Sequence, residues 1–154
     1  MMLRTHLAIS ALAILLFLPH LSSIYCLIFI PVVLIATALP DIDSGFSTVG
    51  RMKAGRIVQF FVRHRGLFHS FSFCIAIALL FAFFVPILAL PFFLGYGLHL
   101  FADSFTLEGI KPFWPWKLES KWHFRTGSYH ETSFFIFLVI ADILVLILLV
   151  ARVF

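Results

Sequence analysis

Apolar residues come along this chain in five long runs, roughly Leu3–Leu18, Leu21–Leu39, Ser70–Leu90, Pro91–Thr106 and Ser133–Val153. The second, third and fifth are long enough to cross the ~30 Å hydrocarbon core of a bilayer, which takes about 20 helical residues. The first and fourth are shorter; each either crosses a thin or pinched bilayer or stops partway, buried against its neighbours. The connections at Pro19-His20 and Ala89-Leu90-Pro91 are tight and predict antiparallel hairpins. Two longer polar stretches remain, Pro40–His69 and Leu107–Thr132. The pattern predicts an all-α integral membrane bundle of four to five transmembrane or membrane-embedded helices. It forms a single membrane domain over residues 1–154, with loops on one face at about 40–69 and 107–132. The first run, after Arg4, is followed almost at once by a second and shows no convincing small-residue cleavage site, so it is expected to be a retained segment and not a targeting peptide.

Composition sharpens the choice of solvent. The chain is 62% hydrophobic and 12% charged, and soluble domains carry about 25% charge. Most of the surface is therefore expected to face lipid. The formal net charge of +4 reports orientation and attraction to anionic headgroups and gives no reason to expect a nucleic acid. If the segments alternate in direction, the N-terminus and both polar stretches share one face, which then holds ten of the eleven Lys and Arg residues and leaves Arg152 alone opposite. Basic residues are retained on the cytoplasmic side. That face is expected to be cytoplasmic, in a bacterial or archaeal cytoplasmic membrane. Cys26 and Cys74 lie inside apolar runs and read as packing residues. Trp114, Trp116 and Trp122, with Phe113, Phe124 and Tyr129, read first as an interfacial aromatic belt and second as a wall for a lipid headgroup.

The same topology brings six of the seven histidines and six of the seven acidic residues to the basic face. His99 and Asp103 are four apart within Leu, Phe, Ala and Gly, so on a helix they stack on one face. An ionised Asp103 facing lipid would cost about 2.5–3.5 kcal/mol, so it should face inward with a partner. Either a neutral hydrogen bond to His99 or a metal ion would serve. In Leu39-Pro40-Asp41-Ile42-Asp43-Ser44-Gly45, Pro40 ends the second run and two carboxylates follow. They cap a turn, or they are paired oxygen ligands whose repulsion a cation relieves, Arg65 or a metal. His64 and His69 flank a turn at Gly66, and His6 is a polar residue one turn inside the first run. Alone, each signal is weak. Together His6, Asp41, Asp43, His64, His69, His99 and Asp103 offer imidazole and carboxylate without thiolate. That set suits Zn²⁺ first and Mn²⁺ second, as one ion or more.

Thr5-His6, the Leu39–Asp43 box, the His64-Arg65-Gly66-Leu67-Phe68-His69-Ser70 box and the Gly95–Thr106 segment resemble the YdjM-like family of membrane-bound metal-dependent hydrolases. Lys111-Pro112-Phe113-Trp114-Pro115 and Arg125-Thr126-Gly127-Ser128 to Glu131 look like its later parts, in the family's order. Phe68 departs from it, since members more often have a small polar residue there; pocket shape is what that changes. The resemblance implies hydrolysis. A broader likeness to zinc-dependent phospholipase C and polymetallic nucleases implies phosphoesters, here of a lipid or lipid-linked substrate, by metal-activated water. Arg65 is placed to hold phosphate oxygens. Arg63 is expected to contribute charge alone. Glu131 is expected as a general base, a distant ligand or a helix N-terminal carboxylate. Membrane lipids are the expected partners, and the oligomeric state stays open. The alternative is a non-catalytic divalent-metal carrier or sensor using the same ligands, for which Asp142, inside the last run, is the one candidate for a polar route.

Overall fold

The computed structural model describes residues 1–43, 67–116 and 118–152, the side chains of Ile42 and Asp43 excepted. The described chain is all-helical, with no strands: α1 Leu3–Phe17, α2 Ser23–Ala38, α3 Phe71–Phe84, α4 Pro86–Ser104 and α5 Tyr129–Ala151. Tight 3₁₀ turns at Leu18–His20 and Leu39–Asp43 extend α1 and α2, and a third, Leu67–His69, leads towards α3. Four helical stretches are long and apolar enough to span a bilayer: Leu3–His20, Ser23–Asp41, Pro86–Ser104 and Tyr129–Ala151.

The break between the third and fourth runs falls at Val85-Pro86, not at Ala89-Leu90-Pro91. The short helix is therefore α3, with 14 residues, about 21 Å at 1.5 Å per residue. The fourth segment, expected to be short, is long enough to span. Proline explains both halves of this correction. Pro86 occupies the first position of α4, where a missing N–H costs nothing. Pro91 sits inside α4 and leaves the Ile87 carbonyl without its usual donor, and the Tyr25 hydroxyl donates to that oxygen at 3.2 Å. The last helix begins earlier than its apolar run because Ser128 caps it: the Ser128 hydroxyl accepts the Glu131 N–H at 3.3 Å. Ser22 and Ser70 cap α2 and α3 in the same way.

Helix α4 is the hub, packed on α2 and α3 and touching α1, while α5 packs on α1. One apolar cluster joins Ala36, Cys74, Phe92, Tyr96, Leu100 and Ile110. A second joins Ile14, Phe29 and Val33. The outer faces are apolar too: Leu79, Phe83, Phe137 and Leu148 are all more than 60% exposed. Such a surface suits lipid, and helices satisfy the backbone groups that lipid cannot.

Helices α2 and α4 meet at Gly95. A Cβ there would lie 2.2 Å from the Val33 carbonyl oxygen and 3.1 Å from the Ala36 side chain. Small residues let membrane helices approach in this way. A buried polar clamp sits beside the contact. The Thr37 hydroxyl donates to the Val33 carbonyl at 2.8 Å and lies 3.4 Å from the Gly95 carbonyl, and Ser10 of α1 meets it at 2.7 Å. Gly95→Ala is expected to lower stability by about 1–3 kcal/mol, because rigid backbone blocks the new methyl group. At Gly97 the nearest atom to an added Cβ is a Phe71 ring carbon at 4.0 Å, so Gly97→Ala should match the wild type or exceed it. Thermal unfolding in detergent would check this, and equal melting of the two variants would contradict the packing.

Candidate metal centre

Four elements bring titratable side chains to one end of the bundle. His6 lies one turn inside α1, Asp41 in the 3₁₀ turn after α2, His69 in the turn before α3, and His99 and Asp103 one above the other on α4. His6, His69, His99 and Asp103 are each at most 2% exposed. The rings of His6 and His99 stack at 3.9 Å with only 11° between their planes, and His69 meets His99 edge-on at 5.7 Å.

The orientation of His99 follows from its backbone partner. Thr37 lies in the last turn of α2, where carbonyls lack helical donors. Its oxygen lies 2.8 Å from His99 Nδ1. A carbonyl can only accept, so Nδ1 carries the proton and Nε2 presents its lone pair. A metal-binding histidine needs this arrangement, with the far nitrogen fixed and the near one open.

The near nitrogens of His6 and His99 face carboxylates but make no hydrogen bond to them. His99 Nε2 is 3.6 Å from Asp103 Oδ2 and 3.8 Å from Asp41 Oδ1. His69 Nε2 is 3.9 Å from Asp103 Oδ2, and His6 Nε2 is 3.3 Å from Asp103 Oδ1. The helix-packing hydrogen bond that could have linked His99 to Asp103 is not made. Both nitrogens of His6 and Nε2 of His99 are buried without a hydrogen-bond partner among the described residues, which is uncommon and calls for a cause. Donors bound at about 2.0–2.2 Å to one tetrahedral ion stand about 3.3–3.6 Å apart, close to the spacings here. His6, His99 and Asp103 form one group able to hold an ion, and Asp41, His69 and His99 a second. The residues therefore fit a divalent metal.

The amino nitrogen of Met1 also contacts Asp103 Oδ1. Tyr96, one turn before His99, donates its hydroxyl to the Phe68 carbonyl at 2.7 Å and so holds the turn that carries His69. The ring of Phe68 itself packs edge-on against Phe73 at 4.8 Å. Thr37, Ser10 and Tyr96 are the positioning residues that sequence reasoning did not single out. Thr37 lies four before Asp41 and Tyr96 three before His99, a helical stripe that offers a faint signal.

Five of the seven expected ligands thus converge: His6, Asp41, His69, His99 and Asp103. His64, Arg63 and Arg65, and the side chain of Asp43, lie outside the described residues. Glu131 is buried beside the cluster but engaged elsewhere. Its Oε1 accepts the Met2 N–H at 2.6 Å and the Thr5 hydroxyl at 3.0 Å, and its Oε2 accepts the Gly127 N–H at 2.6 Å. Of its three expected roles, these contacts match the helix N-terminal carboxylate, shared between α5 and the start of α1. Arg4 reinforces that junction, lying over the Phe135 ring and 3.3 Å from the Thr132 hydroxyl. Glu119 pairs at the surface with Lys111 and Lys121, and Trp114, Trp116 and Trp122 are exposed, as a belt requires.

Glu131→Ala would strip three donors of their acceptor, and a loss of about 2–4 kcal/mol is expected. Glu131→Gln keeps an acceptor oxygen and should fall between. Melting temperatures of the two variants would decide it; an Ala variant as stable as wild type would remove Glu131 from this role.

No curated protein and no solved structure matches the chain. A family model does, described as YdjM inner membrane protein and matched over residues 1–153. That match runs through every segment that contributes to the buried cluster, and it agrees with the membrane location that the apolar helices support: the chain belongs to the YdjM inner membrane protein family.

Proposed function

We propose that the protein is a metal-dependent hydrolase acting at the cytoplasmic face of the membrane on a phosphoester of a lipid or lipid-linked substrate. The observation that carries the reading is the convergence of three buried imidazoles and two carboxylates, with nitrogens of His6 and His99 that lack a hydrogen-bond partner among the described residues. His6, Asp41, His69, His99 and Asp103 hold the ion. An imidazole and carboxylate set without thiolate suits zinc first and manganese second. A divalent ion in such a site supplies a Lewis acid and water activated near neutral pH.

The chain's own groups do the remaining work. His99 is held in its ligand tautomer by the Thr37 carbonyl. Asp103 neutralises positive charge where lipid excludes water. Arg65, next to His64 in sequence, holds phosphate oxygens. Glu131 keeps α1 seated, so that His6 meets Asp103. The exposed tryptophans and Lys111, Lys121 and Arg125 suit the headgroup layer. A phosphoester substrate anchored by its lipid would arrive at this level.

A carrier would use the same ligands but needs a polar route across the bilayer. Beyond the Ser10–Thr37 pair, one turn further from the cluster, lie the buried apolar residues Ile14, Phe29 and Val33. Asp142 has a buried oxygen without a partner among the described residues, but no described polar group links it to the cluster. These observations favour hydrolysis over transport.

Elemental analysis of detergent-purified protein should find stoichiometric zinc or manganese, lost in His69→Ala and in Asp103→Ala while both stay folded. Wild-type metal content in both variants would refute the ligand assignment. Metal-loaded protein should then release phosphate or a phosphorylated headgroup from phospholipid or isoprenyl phosphate vesicles, and the two variants should fall at least ~10²-fold in rate, as expected when the activating ion is lost. For orientation, Lys121→Cys in a background without Cys26 and Cys74 should react with an impermeant maleimide in inverted vesicles and not in spheroplasts. The reverse pattern would put the site on the other face.

A further inference from the structure

The two possible ligand groups share His99, and that sharing constrains how they can be filled. His99 has one lone pair to give, because its Nδ1 proton is committed to the Thr37 carbonyl. One imidazole nitrogen binds one ion. His99 therefore serves a single ion, and the two groups cannot both be complete as they stand.

Asp103 resolves the conflict. Its two oxygens face different imidazoles: Oδ1 lies 3.3 Å from His6 Nε2, while Oδ2 lies 3.6 Å from His99 Nε2 and 3.9 Å from His69 Nε2. Asp41 Oδ1 lies 3.8 Å from His99 Nε2 and forms a group with His69 and His99. The His6 and His99 rings are parallel within 11° and 3.9 Å apart. They offer their Nε2 atoms to opposite oxygens of one carboxylate. Ions in two-metal sites stand about 3.5–4 Å apart, which is the spacing of these rings.

We propose that Asp103 bridges two divalent ions, one on its Oδ1 with His6 and the other on its Oδ2 with Asp41, His69 and His99. The inference rests on the metal-binding reading above and adds to it the number of ions and the division of ligands between them. The second ion draws its protein donors from Asp41, His69 and His99, one group able to hold an ion, with Asp103 Oδ2 3.6 Å and 3.9 Å from the His99 and His69 nitrogens. The first has two among the described residues and is the more open of the pair, on the side facing the start of α1. Its rival in the structure is the amino nitrogen of Met1, the cation that contacts Oδ1.

Untagged protein, purified in detergent and loaded with Mn²⁺, would be gel-filtered free of loose ion, assayed for manganese per chain and examined by electron paramagnetic resonance. The expected result is two ions per chain with an exchange-coupled spectrum. His6→Ala should keep one ion and lose the coupling. Asp103→Asn, which retains the shape but not the second charged oxygen, should also lose the coupling. One ion per chain with an uncoupled six-line spectrum in the wild type would overturn the bridge and leave the metal site standing, as would two ions without coupling. No retained ion, with Zn²⁺ tried in parallel, would overturn both readings. The wild-type result decides the matter even if a variant fails to fold.

Discussion

The close approach of α2 to α4 at Gly95 is the contact on which the rest of the structure depends. With no side chain at that position, the Val33 carbonyl can sit where a Cβ would be. The two helices then run close enough for the Thr37 carbonyl to reach His99. One turn further towards the bundle end, the same contact sets Asp41 opposite His99. A single stripe of α4, Gly95, His99 and Asp103 at intervals of four, therefore carries the packing contact, the oriented imidazole and the buried carboxylate in sequence. A bulkier residue at the first position would shift the register of the other two against α2.

Lipid gives the polar groups of this bundle few choices. A carboxylate inside a membrane protein must find a partner or stay protonated, and a bare imidazole nitrogen must find a donor or a metal. Most buried polar groups here find protein partners: Ser10 with Thr37, Tyr96 with the Phe68 carbonyl, Thr106 with the Asp103 carbonyl, and Glu131 with three donors. Among the described residues, the exceptions other than Asp142 gather at one place, where His6 and His99 lie against Asp103. This contrast argues for a ligand set more strongly than the number of histidines does. Asp142 is the isolated case; it lies partway along α5, and no physical account of its orphaned oxygen follows from the described residues.

The polar segment between α4 and α5 ties the cluster end together. Backbone bonds pair Leu107 with Phe124 and Ile110 with Ser120, and the Pro112 carbonyl accepts the Phe71 N–H at the start of α3. The segment therefore caps one helix and then delivers Gly127, Ser128 and Glu131 to the start of another. Helix α5 has little of its own surface buried. Its anchorage comes from packing on α1 and from the Glu131 junction, which couples the seating of α5 to the position of His6.

The sequence alone determined the class of structure and pointed to imidazole and carboxylate groups that gather at one end of the bundle. Long apolar runs with so few charges have only a bilayer as a good solvent, and that constraint acts residue by residue. The four-residue spacing of His99 and Asp103 is likewise local, because helix geometry puts them on one face whatever surrounds them. Helix ends were less legible. The last helix starts at a Ser128–Glu131 cap inside a polar stretch, and the break before α4 depends on which of Pro86 and Pro91 starts a helix and which is tolerated within one. The tyrosine of another helix that accommodates Pro91 cannot be read from the local sequence. Only the tertiary structure decided that His99 spends its Nδ1 proton on Thr37, that the two Asp103 oxygens face different imidazoles, and that Glu131 bonds to the start of α1. The Thr37–His99 and Met2–Glu131 contacts join residues 62 and 129 positions apart. Their geometry is set by how closely helices pack, a property of pairs of surfaces that no single segment encodes.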